Sequence, residues 1–190
     1  MGPQFTWTLD CEGDFGGRTN GIKGITDGLP LILEIFRANG IQALFLISTE
    51  IALDHRARIQ SIIDKGHEIG SHGHFHIKFK EKWRAREDRL ISEELLTVFR
   101  PGPFEYRAPW FYHDMEGSIY SKKKNHVSVL KQSWFGGRIP DNPIFYIHPF
   151  DIVEARGAPN IFTRILYSNP KRVYETFTRL AQEYPGRRRL

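Results

Sequence analysis

Three histidines crowd into the segment GSHGHFH, residues 70–76, although the chain of 190 residues contains only eight. Imidazole nitrogens bind zinc and neighbouring transition metals. His72 and His76 lie four positions apart, so on one turn of helix they share a face and could bind one ion. His74 points elsewhere on such a turn and is left out of the predicted ligands. A histidine-rich surface loop is the alternative, but the segment follows a stretch typical of a buried strand, which favours a metal site.

Three carboxylates stand close together in LDCEGD, where Asp10, Glu12 and Asp14 fall within five residues at the end of a predicted strand. A catalytic metal site needs a third ligand beside two imidazoles, and an open position for water. A second carboxylate nearby can take a proton from that water. Taken alone, these acids suit a polar loop equally well. Together with the histidine pair they indicate a metal-dependent hydrolytic centre.

Two further residues with useful chemistry also follow predicted strands. Arg107, in YRAPWF, could keep Asp10 ionised, because a nearby cation lowers the pKa of a carboxyl group. His148, in YIHPFD, could serve as a general acid. Alone, the arginine is typical of a protein surface and the histidine of a structural position at a strand end, so both roles depend on the company of the other residues.

The elements that must position these residues alternate between strand and helix. Strands are predicted over residues 5–9, 41–48, 67–72, 104–109 and 143–148. Apolar residues at helical spacing predict helices between and after them, with faces formed by Leu29, Ile32, Leu33 and Phe36; by Ile51, Ile59, Ile62 and Ile63; by Leu90, Ile91, Leu95 and Val98; and by Val173, Phe177, Leu180 and Tyr184. This alternation predicts a parallel α/β sheet or barrel, in which ligands gather at the carboxyl ends of the strands.

Composition predicts one globular domain over residues 1–190, since 40% of the residues are hydrophobic and the charges are mixed. The net charge of +5 would suit nucleic acid or an anionic phospholipid surface. The basic residues are nevertheless scattered, apart from SKKKN at 121–125 and the terminal GRRRL, and no nucleic-acid-binding motif accompanies them. We therefore expect no nucleic-acid partner, and only a peripheral contact with an anionic membrane.

The single cysteine, Cys11, excludes an internal disulfide and gives no sign of an oxidising compartment. The longest apolar runs are as short as LFLI, far below the length of a membrane span, and no signal peptide is visible. These features predict a cytoplasmic protein.

Four motifs carry a resemblance when they are taken in order: TLDCE, SHGHFH, RAPWF and YIHPF. Together they resemble the polysaccharide deacetylases of the NodB homology group, carbohydrate esterase family four, over essentially the whole chain. The resemblance implies a distorted, incomplete α/β barrel that holds a divalent metal, commonly zinc. It also implies roles for individual residues: Asp10 as the catalytic base, His72 and His76 as metal ligands, Arg107 as the partner of the base, a backbone N–H of Trp110 as the oxyanion donor, and His148 as the acid.

The third metal ligand is where the chain departs from the common motif of the family. There the metal carboxylate directly follows the base, a position that Cys11 occupies here. Some branches place it two residues after the base, where this chain has Glu12, and Asp14 is the rival. Cys11 could bind a soft metal, but a strand-end residue between two acids should face the other side of the sheet. We predict Glu12 as the ligand.

The fourth motif of the family, an aspartate and a tryptophan before the final histidine, is not clear. SWF supplies Trp134, but no aspartate precedes it closely, and only 36 residues separate Phe111 from His148. The short spacing predicts a more open barrel than usual. Trp110, Phe111 and Trp134 either present flat faces to sugar rings or belong to the core.

The residues and the resemblance together predict a hydrolase that removes an N-acyl group, acetyl or formyl, from an amino sugar of a polysaccharide or lipid-linked saccharide. The first alternative is a catalytically inactive relative that binds metal or carbohydrate, which the unclear fourth motif would suit. A nucleic-acid-binding protein is a second alternative, favoured only by the basic charge.

Overall fold

A computed structural model describes residues 6–17, 21–111, 125–154 and 161–185. Its strands are β1 (Trp7–Cys11), β2 (Leu44–Ile47), β3 (Glu68–Ser71), β4 (His126–Ser128) and β5 (Ile144–Ile147). All pair in parallel, in the order β3-β2-β1-β5-β4. In the described residues, β3 and β4 are the two ends of an open sheet, and β1 is its central strand.

Helices connect the strands, as parallel pairing requires. They are α1 (Leu29–Ala38), α2 (Thr49–Asp54), α3 (Arg56–Asp64), α4 (Lys82–Leu96), α5 (Val129–Phe135), α6 (Ile161–Leu166) and α7 (Pro170–Glu183). In the described residues, short helical turns lie at Gly24–Gly28, Pro109–Phe111 and Pro149–Ile152. None of the helices in the described ranges is both long enough and apolar enough to cross a lipid bilayer.

Strand β1 is buried on both of its faces, and its alternation decides which side chains reach the site. Trp7, Leu9 and Cys11 point into the main hydrophobic core, where the Trp7 ring stacks on Phe145 at 4.7 Å. The residues between them, including Asp10, therefore point to the opposite face of the sheet. A buried polar residue on that face needs a partner to compensate for its desolvation.

Most of the predicted elements are confirmed, including the first strand, which extends through Asp10 to Cys11, the strands that precede His72 and His148, and the buried face of α7. Two predictions were wrong in detail. Residues 104–109 form no strand but a single bridge, from Tyr106 to Ser71. The predicted second helix is divided at His55 into α2 and α3.

The predicted apolar face of α4 was also wrong. Leu90, Ile91 and Val98 are exposed, and the buried residues are Ala85, Asp88, Ser92 and Leu96. The reason is polar packing, because Ser71 Oγ of β3 donates to Ser92 Oγ at 2.8 Å and Asp88 accepts backbone hydrogen bonds from the loop after β3. Residues 121–124 of the predicted basic cluster and residues 186–190 lie outside the described residues. The single domain over residues 1–190 and the cytoplasmic location stay predictions.

Candidate metal centre and active site

The register of the sheet brings the predicted residues to one edge. Cys11 pairs with Ile47, and Ile47 pairs with Ser71. The residues that follow β1 and β3 are Glu12 and His72, so the two side chains emerge side by side although they are 60 positions apart. Strand β5 pairs with β1 on its other side and is followed by His148.

Glu12, His72 and His76 form a buried group whose ligand atoms all lie within 4.8 Å of one another. Oε2 of Glu12 lies 3.1 Å from Nε2 of His72 and contacts Nε2 of His76. Nδ1 of His72 donates to the Arg107 carbonyl at 2.8 Å, and Nδ1 of His76 donates to the Gly16 carbonyl at 3.2 Å. Since a carbonyl only accepts, each neutral ring keeps its Nε2 lone pair for the centre of the group.

This group fits a divalent metal ion. Oε2 of Glu12 is buried and has no hydrogen-bond donor among the described residues. Burial raises the pKa of Glu12, but the attraction of His76 and hydrogen bonds from His72 and His76, which operate when protons are on Nε2, outweigh that effect and hold the pKa below its ordinary range. A cation in the place of those protons would hold the carboxylate ionised in the same way. A buried, ionised carboxylate beside two imidazole lone pairs is unfavourable unless a cation lies between them. Two nitrogens and one oxygen suit zinc or a similar transition metal.

The predicted helical turn between His72 and His76 does not exist. The segment is an irregular loop in which Gly73 and His76 have positive φ angles of 82° and 52°. The two rings nevertheless converge, with centroids 4.9 Å apart. His74 points away, and its Nδ1 lies 2.8 Å from Oγ1 of Thr49. The spacing selected the two rings that converge, but the loop brings them together by a different geometry.

Asp88 of α4 holds this loop in place. Its carboxylate is buried and accepts the backbone N–H groups of His74 at 2.9 Å and Phe75 at 3.3 Å. A side chain at Gly73 would place its Cβ only 2.5 Å from Oδ2 of Asp88. The loop therefore needs both a glycine with positive φ and the carboxylate below it.

The two rivals of Glu12 serve other purposes. Asp14 is buried, and its oxygens accept the backbone N–H groups of Gly24 at 2.8 Å and Lys23 at 3.0 Å. Cys11 lies in the hydrophobic core on the opposite side of β1, as the alternation predicted. Burial raises the pKa of the Cys11 thiol, which keeps it protonated.

Asp10 is held by a buried arginine. Nη1 of Arg107 donates to Oδ1 of Asp10 at 2.5 Å, and Nη2 donates to Oγ1 of Thr8 at 2.7 Å. Oδ2 of Asp10 is turned towards the centre, 4.0 Å from Nε2 of His72 and 3.9 Å from Nε2 of His148. Burial raises the pKa of Asp10, but Arg107 and, to a smaller extent, His72 and His148 lower it by more than burial raises it. The carboxylate is therefore ionised.

His148 closes the opposite side of the centre. Its Nε2 lies 3.9 Å from Oδ2 of Asp10 and 3.8 Å from Oε1 of Glu12. Oδ2 of Asp151 accepts the His148 backbone N–H at 2.8 Å and lies 3.2 Å from Nδ1 of the same residue. Burial lowers the pKa of His148, but Asp151 and the carboxylates of the centre raise it to about 10, a value that a bound cation would reduce.

Asp151 is a site residue that the sequence analysis missed. The available signal was an acid three positions after His148 in the motif HPFD. Asp151 stands beside the candidate acid, whereas the tryptophan of SWF does not. Trp134 packs against the hydrophobic core, and its Nε1 donates to the Leu166 carbonyl at 2.8 Å. The aspartate that the fourth motif lacks therefore has a counterpart after the histidine.

The three aromatic residues of the prediction have different surroundings. Trp110 is 42% exposed, and its ring centroid lies 5.2 Å from that of His76, at the mouth of the site. Phe111 packs beneath the Arg107 guanidinium and against Tyr146. Only Trp110 of the three is both exposed and next to the metal group. The backbone N–H of Trp110 as an oxyanion donor stays a prediction.

Comparisons with known proteins agree with the motifs. Residues 21–98 match the family model described as polysaccharide deacetylase. The structure superposes with a TM-score of 0.59 on a mutant, with restored enzymatic activity, of a family 4 carbohydrate esterase pseudoenzyme from Bacillus anthracis. The chain thus resembles the polysaccharide deacetylases, in sequence over residues 21–98 and in fold over most of its length. Sequence identity to that mutant is 15%, and the match covers 93% of this chain but 62% of the longer relative.

Two further solved structures share the deacetylase fold. A family 4 carbohydrate esterase from Streptomyces lividans, in complex with acetate, is 13% identical with a TM-score of 0.53, over 92% of this chain and 87% of that one. A peptidoglycan N-acetylglucosamine deacetylase is 18% identical with a TM-score of 0.54, over 91% and 81%. These matches confirm the prediction of a distorted, incomplete α/β barrel. No protein with curated annotation matches the sequence.

Proposed function

We propose that this chain is a metal-dependent hydrolase that removes an N-acyl group from an amino sugar. The observation that carries the proposal is the convergence of a buried Glu/His/His group with a carboxylate and a histidine that lie outside it. Asp10 and His148 approach this group from the two neighbouring strands, within 4.0 Å of its members. A merely structural metal site would need neither of them.

Glu12, His72 and His76 would hold the metal, and their donor atoms suit zinc. When bound, the ion lowers the pKa of a coordinated water and polarises the amide carbonyl. The Nδ1 hydrogen bonds of both histidines to backbone carbonyls fix the rings in the orientation that this binding requires.

Asp10 is the proposed base. Its Oδ2 accepts a proton from the attacking water while the water oxygen bonds to the acyl carbon. Arg107 donates to the other carboxylate oxygen, Oδ1, and also to the Thr8 hydroxyl, which fixes the guanidinium. Asp10 therefore stays ionised, with Oδ2 directed at the site. The backbone N–H of Trp110 would donate to the oxygen of the tetrahedral intermediate.

His148 is the proposed acid. The amine of the sugar is a poor leaving group, so it must receive a proton as the C–N bond breaks. Nε2 of His148 faces the centre and would give that proton, while Asp151 stabilises the charged ring from behind. The products are the free amino sugar and a carboxylic acid, acetic or formic.

The fold relatives and the mouth of the site support an N-acylated amino sugar as the substrate class. One relative is a peptidoglycan N-acetylglucosamine deacetylase, which makes oligomers of N-acetylglucosamine the first substrates to test. The exposed ring of Trp110 beside His76 would stack on a sugar ring. N-formylated and lipid-linked amino sugars form the second group of test substrates.

The first test compares metal content and hydrolysis in the wild type and in His72→Ala, Glu12→Ala and Asp14→Asn. We expect near-stoichiometric metal in the wild type and loss of metal in the first two variants, because each removes a ligand. Asp14→Asn should retain the metal. The matched control is His74→Ala, which removes a neighbouring imidazole that points away from the group. Elemental analysis of purified protein provides the measurement.

The outcomes separate the candidate functions. Retention of metal in Glu12→Ala together with its loss in Asp14→Asn would transfer the third ligand to Asp14. Metal binding without hydrolysis of any N-acyl sugar would favour the inactive binding relative, a class with a precedent in the Bacillus anthracis pseudoenzyme. Absence of metal from the wild type, even after reloading, would refute the hydrolase proposal.

A further inference from the structure

Exposed apolar side chains occur in the segment that begins next to His76 of the candidate site. The segment FHIKFKEKWRAR, residues 75–86, contains Phe75, Ile77 and Trp83, which are 51%, 48% and 58% exposed. We call residues 75–86 the basic aromatic segment. Large apolar side chains clustered on a surface are common at sites that bind another molecule or a membrane.

Positive charge is concentrated in the same twelve residues. The segment carries five basic side chains against the single acid Glu81, a net charge of +4, whereas the entire chain has a net charge of +5. All five are exposed: Lys78, Lys80, Lys82, Arg84 and Arg86. The rest of the chain is therefore nearly neutral. A partner that contacts this segment must be anionic and must also accommodate bulky apolar groups.

The segment is directly connected to the candidate metal ligands Glu12, His72 and His76. His76 belongs to both, and the exposed ring of Trp110 lies against it. Asp88, two residues past the segment, accepts backbone hydrogen bonds from His74 and Phe75 and so fastens α4 to the loop. A surface that binds Phe75 and Ile77, the two neighbours of His76 in the chain, would therefore lie close to the site.

We propose that the basic aromatic segment binds an anionic membrane surface. Tryptophan and phenylalanine enter the interface between headgroups and acyl chains, while lysine and arginine pair with anionic headgroups around them. The alternation of both kinds in one exposed segment matches that layered environment. Nucleic acid could pair with the basic side chains but would leave the exposed apolar side chains of Phe75 and Ile77 without an apolar environment. The binding is peripheral, since none of the described helices spans a bilayer.

This binding would present the site to substrates at the membrane. A lipid-linked amino sugar carries its N-acyl group next to the headgroup layer, within reach of a mouth that faces the surface. That consequence rests on the proposed hydrolase function, whereas membrane binding itself does not. The two can therefore fail independently.

Co-sedimentation with vesicles tests the proposal on the full chain. We expect binding to vesicles of phosphatidylcholine mixed with phosphatidylglycerol, little binding to phosphatidylcholine alone, and weaker binding as salt increases. Lys80→Glu combined with Lys82→Glu should weaken the partitioning at least about ten-fold, because each basic residue near an anionic surface contributes substantially. Trp83→Ala should weaken it about five-fold or more.

The matched control is Arg58→Glu combined with Lys65→Glu, the same change of charge at exposed positions on and after α3. We expect this control to bind vesicles nearly as well as the wild type, and circular dichroism checks the fold of every variant. Equal losses in the control and the test variant would overturn the proposal, as would absence of binding to the anionic vesicles. Binding to single-stranded RNA as tight as to vesicles, and insensitive to Trp83→Ala, would overturn it in favour of a soluble polyanion.

Discussion

Asp10 and Arg107 form a buried ion pair whose function is orientation more than stability. Arg107 is completely buried, and removing two charges from water opposes folding by several kcal/mol per ion before their attraction compensates for it. A pair of apolar residues would stabilise the same position at least as well. The geometry instead leaves Oδ2 of Asp10 directed at His72 and His148. In the proposed mechanism, the pair keeps one carboxylate oxygen of Asp10 available for proton transfer.

Asp151 should matter for the rate and not for the metal. Asp151→Asn keeps an oxygen that can accept the His148 backbone N–H but removes the charge beside Nδ1. We expect kcat to fall by about 10- to 100-fold, a fraction of what general acid catalysis contributes. The metal content and KM should stay near those of the wild type. Steady-state kinetics and elemental analysis measure both.

The control for that variant is Asp141→Asn, which changes an exposed acid with the same loss of charge. It should leave kcat unchanged. A normal kcat in Asp151→Asn would mean that His148 needs no charged partner, and loss of metal in that variant would mean that Asp151 supports the fold of the centre instead of the acid.

Helix α4 shows how an element can be positioned by polar contacts against the preference of its apolar residues. Its buried face carries Asp88 and Ser92, which bind the loop after β3 and Ser71. Leu90 and Ile91 remain exposed. Helical periodicity alone selects the more apolar face, so it favoured the wrong one. The helix lies where the Asp88 carboxylate can accept hydrogen bonds from the loop that carries His72 and His76.

Asp88→Ala tests this role of α4. It leaves two backbone N–H groups of the loop without their acceptor, so we expect a loss of about 1 to 3 kcal/mol in the free energy of unfolding. Metal affinity should fall as well, because the loop carries His76. Urea denaturation and metal titration provide the measurements. Glu87→Ala, at an exposed position of the same helix, is the control and should change neither quantity. Wild-type metal affinity in Asp88→Ala would show that the loop holds its shape without the Asp88 carboxylate.

At the scale of the whole molecule, one parallel sheet gathers residues from distant parts of the chain. Glu12 and His148 are 136 positions apart, yet Nε2 of the histidine lies 3.8 Å from the glutamate. This works because parallel strands place all their carboxyl ends on the same edge. The central position of β1 puts Asp10 and Glu12 between the histidines of β3 and β5.

Stability should depend on pH through a histidine far from the centre. His67 is buried beside Phe36 and Phe45, and its Nδ1 accepts the Ala43 backbone N–H at 3.3 Å. Burial and then Lys65 lower the pKa of His67 to about 4. In the unfolded chain the histidine has a pKa near 6.5, so between pH 6.5 and 4 the unfolded state binds a proton that the folded state does not. The free energy of unfolding is therefore highest above pH 6.5 and declines as the pH falls towards 4.

The measurement compares the wild type with His67→Asn between pH 7 and pH 4. Asparagine can still accept the Ala43 N–H but does not titrate. We expect the variant to be less stable at pH 7, because it loses ring packing, and its free energy of unfolding to decline less towards pH 4. The difference in decline should be roughly 2 to 3 kcal/mol. Parallel curves for the two proteins would exclude His67 as the source of the acid sensitivity.

The sequence by itself determined the local features of this protein. Strand and helix signals alternate along the chain, which identified a parallel α/β architecture, and four motifs carry the resemblance to the polysaccharide deacetylases. Residue types and positions relative to strand ends also selected Asp10, His72, Arg107 and His148 as candidates. These features follow from periodicity over a few residues, which the chain carries locally.

The tertiary structure decided which polar atoms meet. It tied Asp14 to the backbone of Lys23 and Gly24, brought Glu12 to the histidines, and placed Asp151 behind His148. It also replaced an expected helical turn with a loop that Asp88 supports. The physical reason is that a buried polar group takes whichever partner the packing of distant segments brings within hydrogen-bond distance, and local periodicity carries no information about that choice.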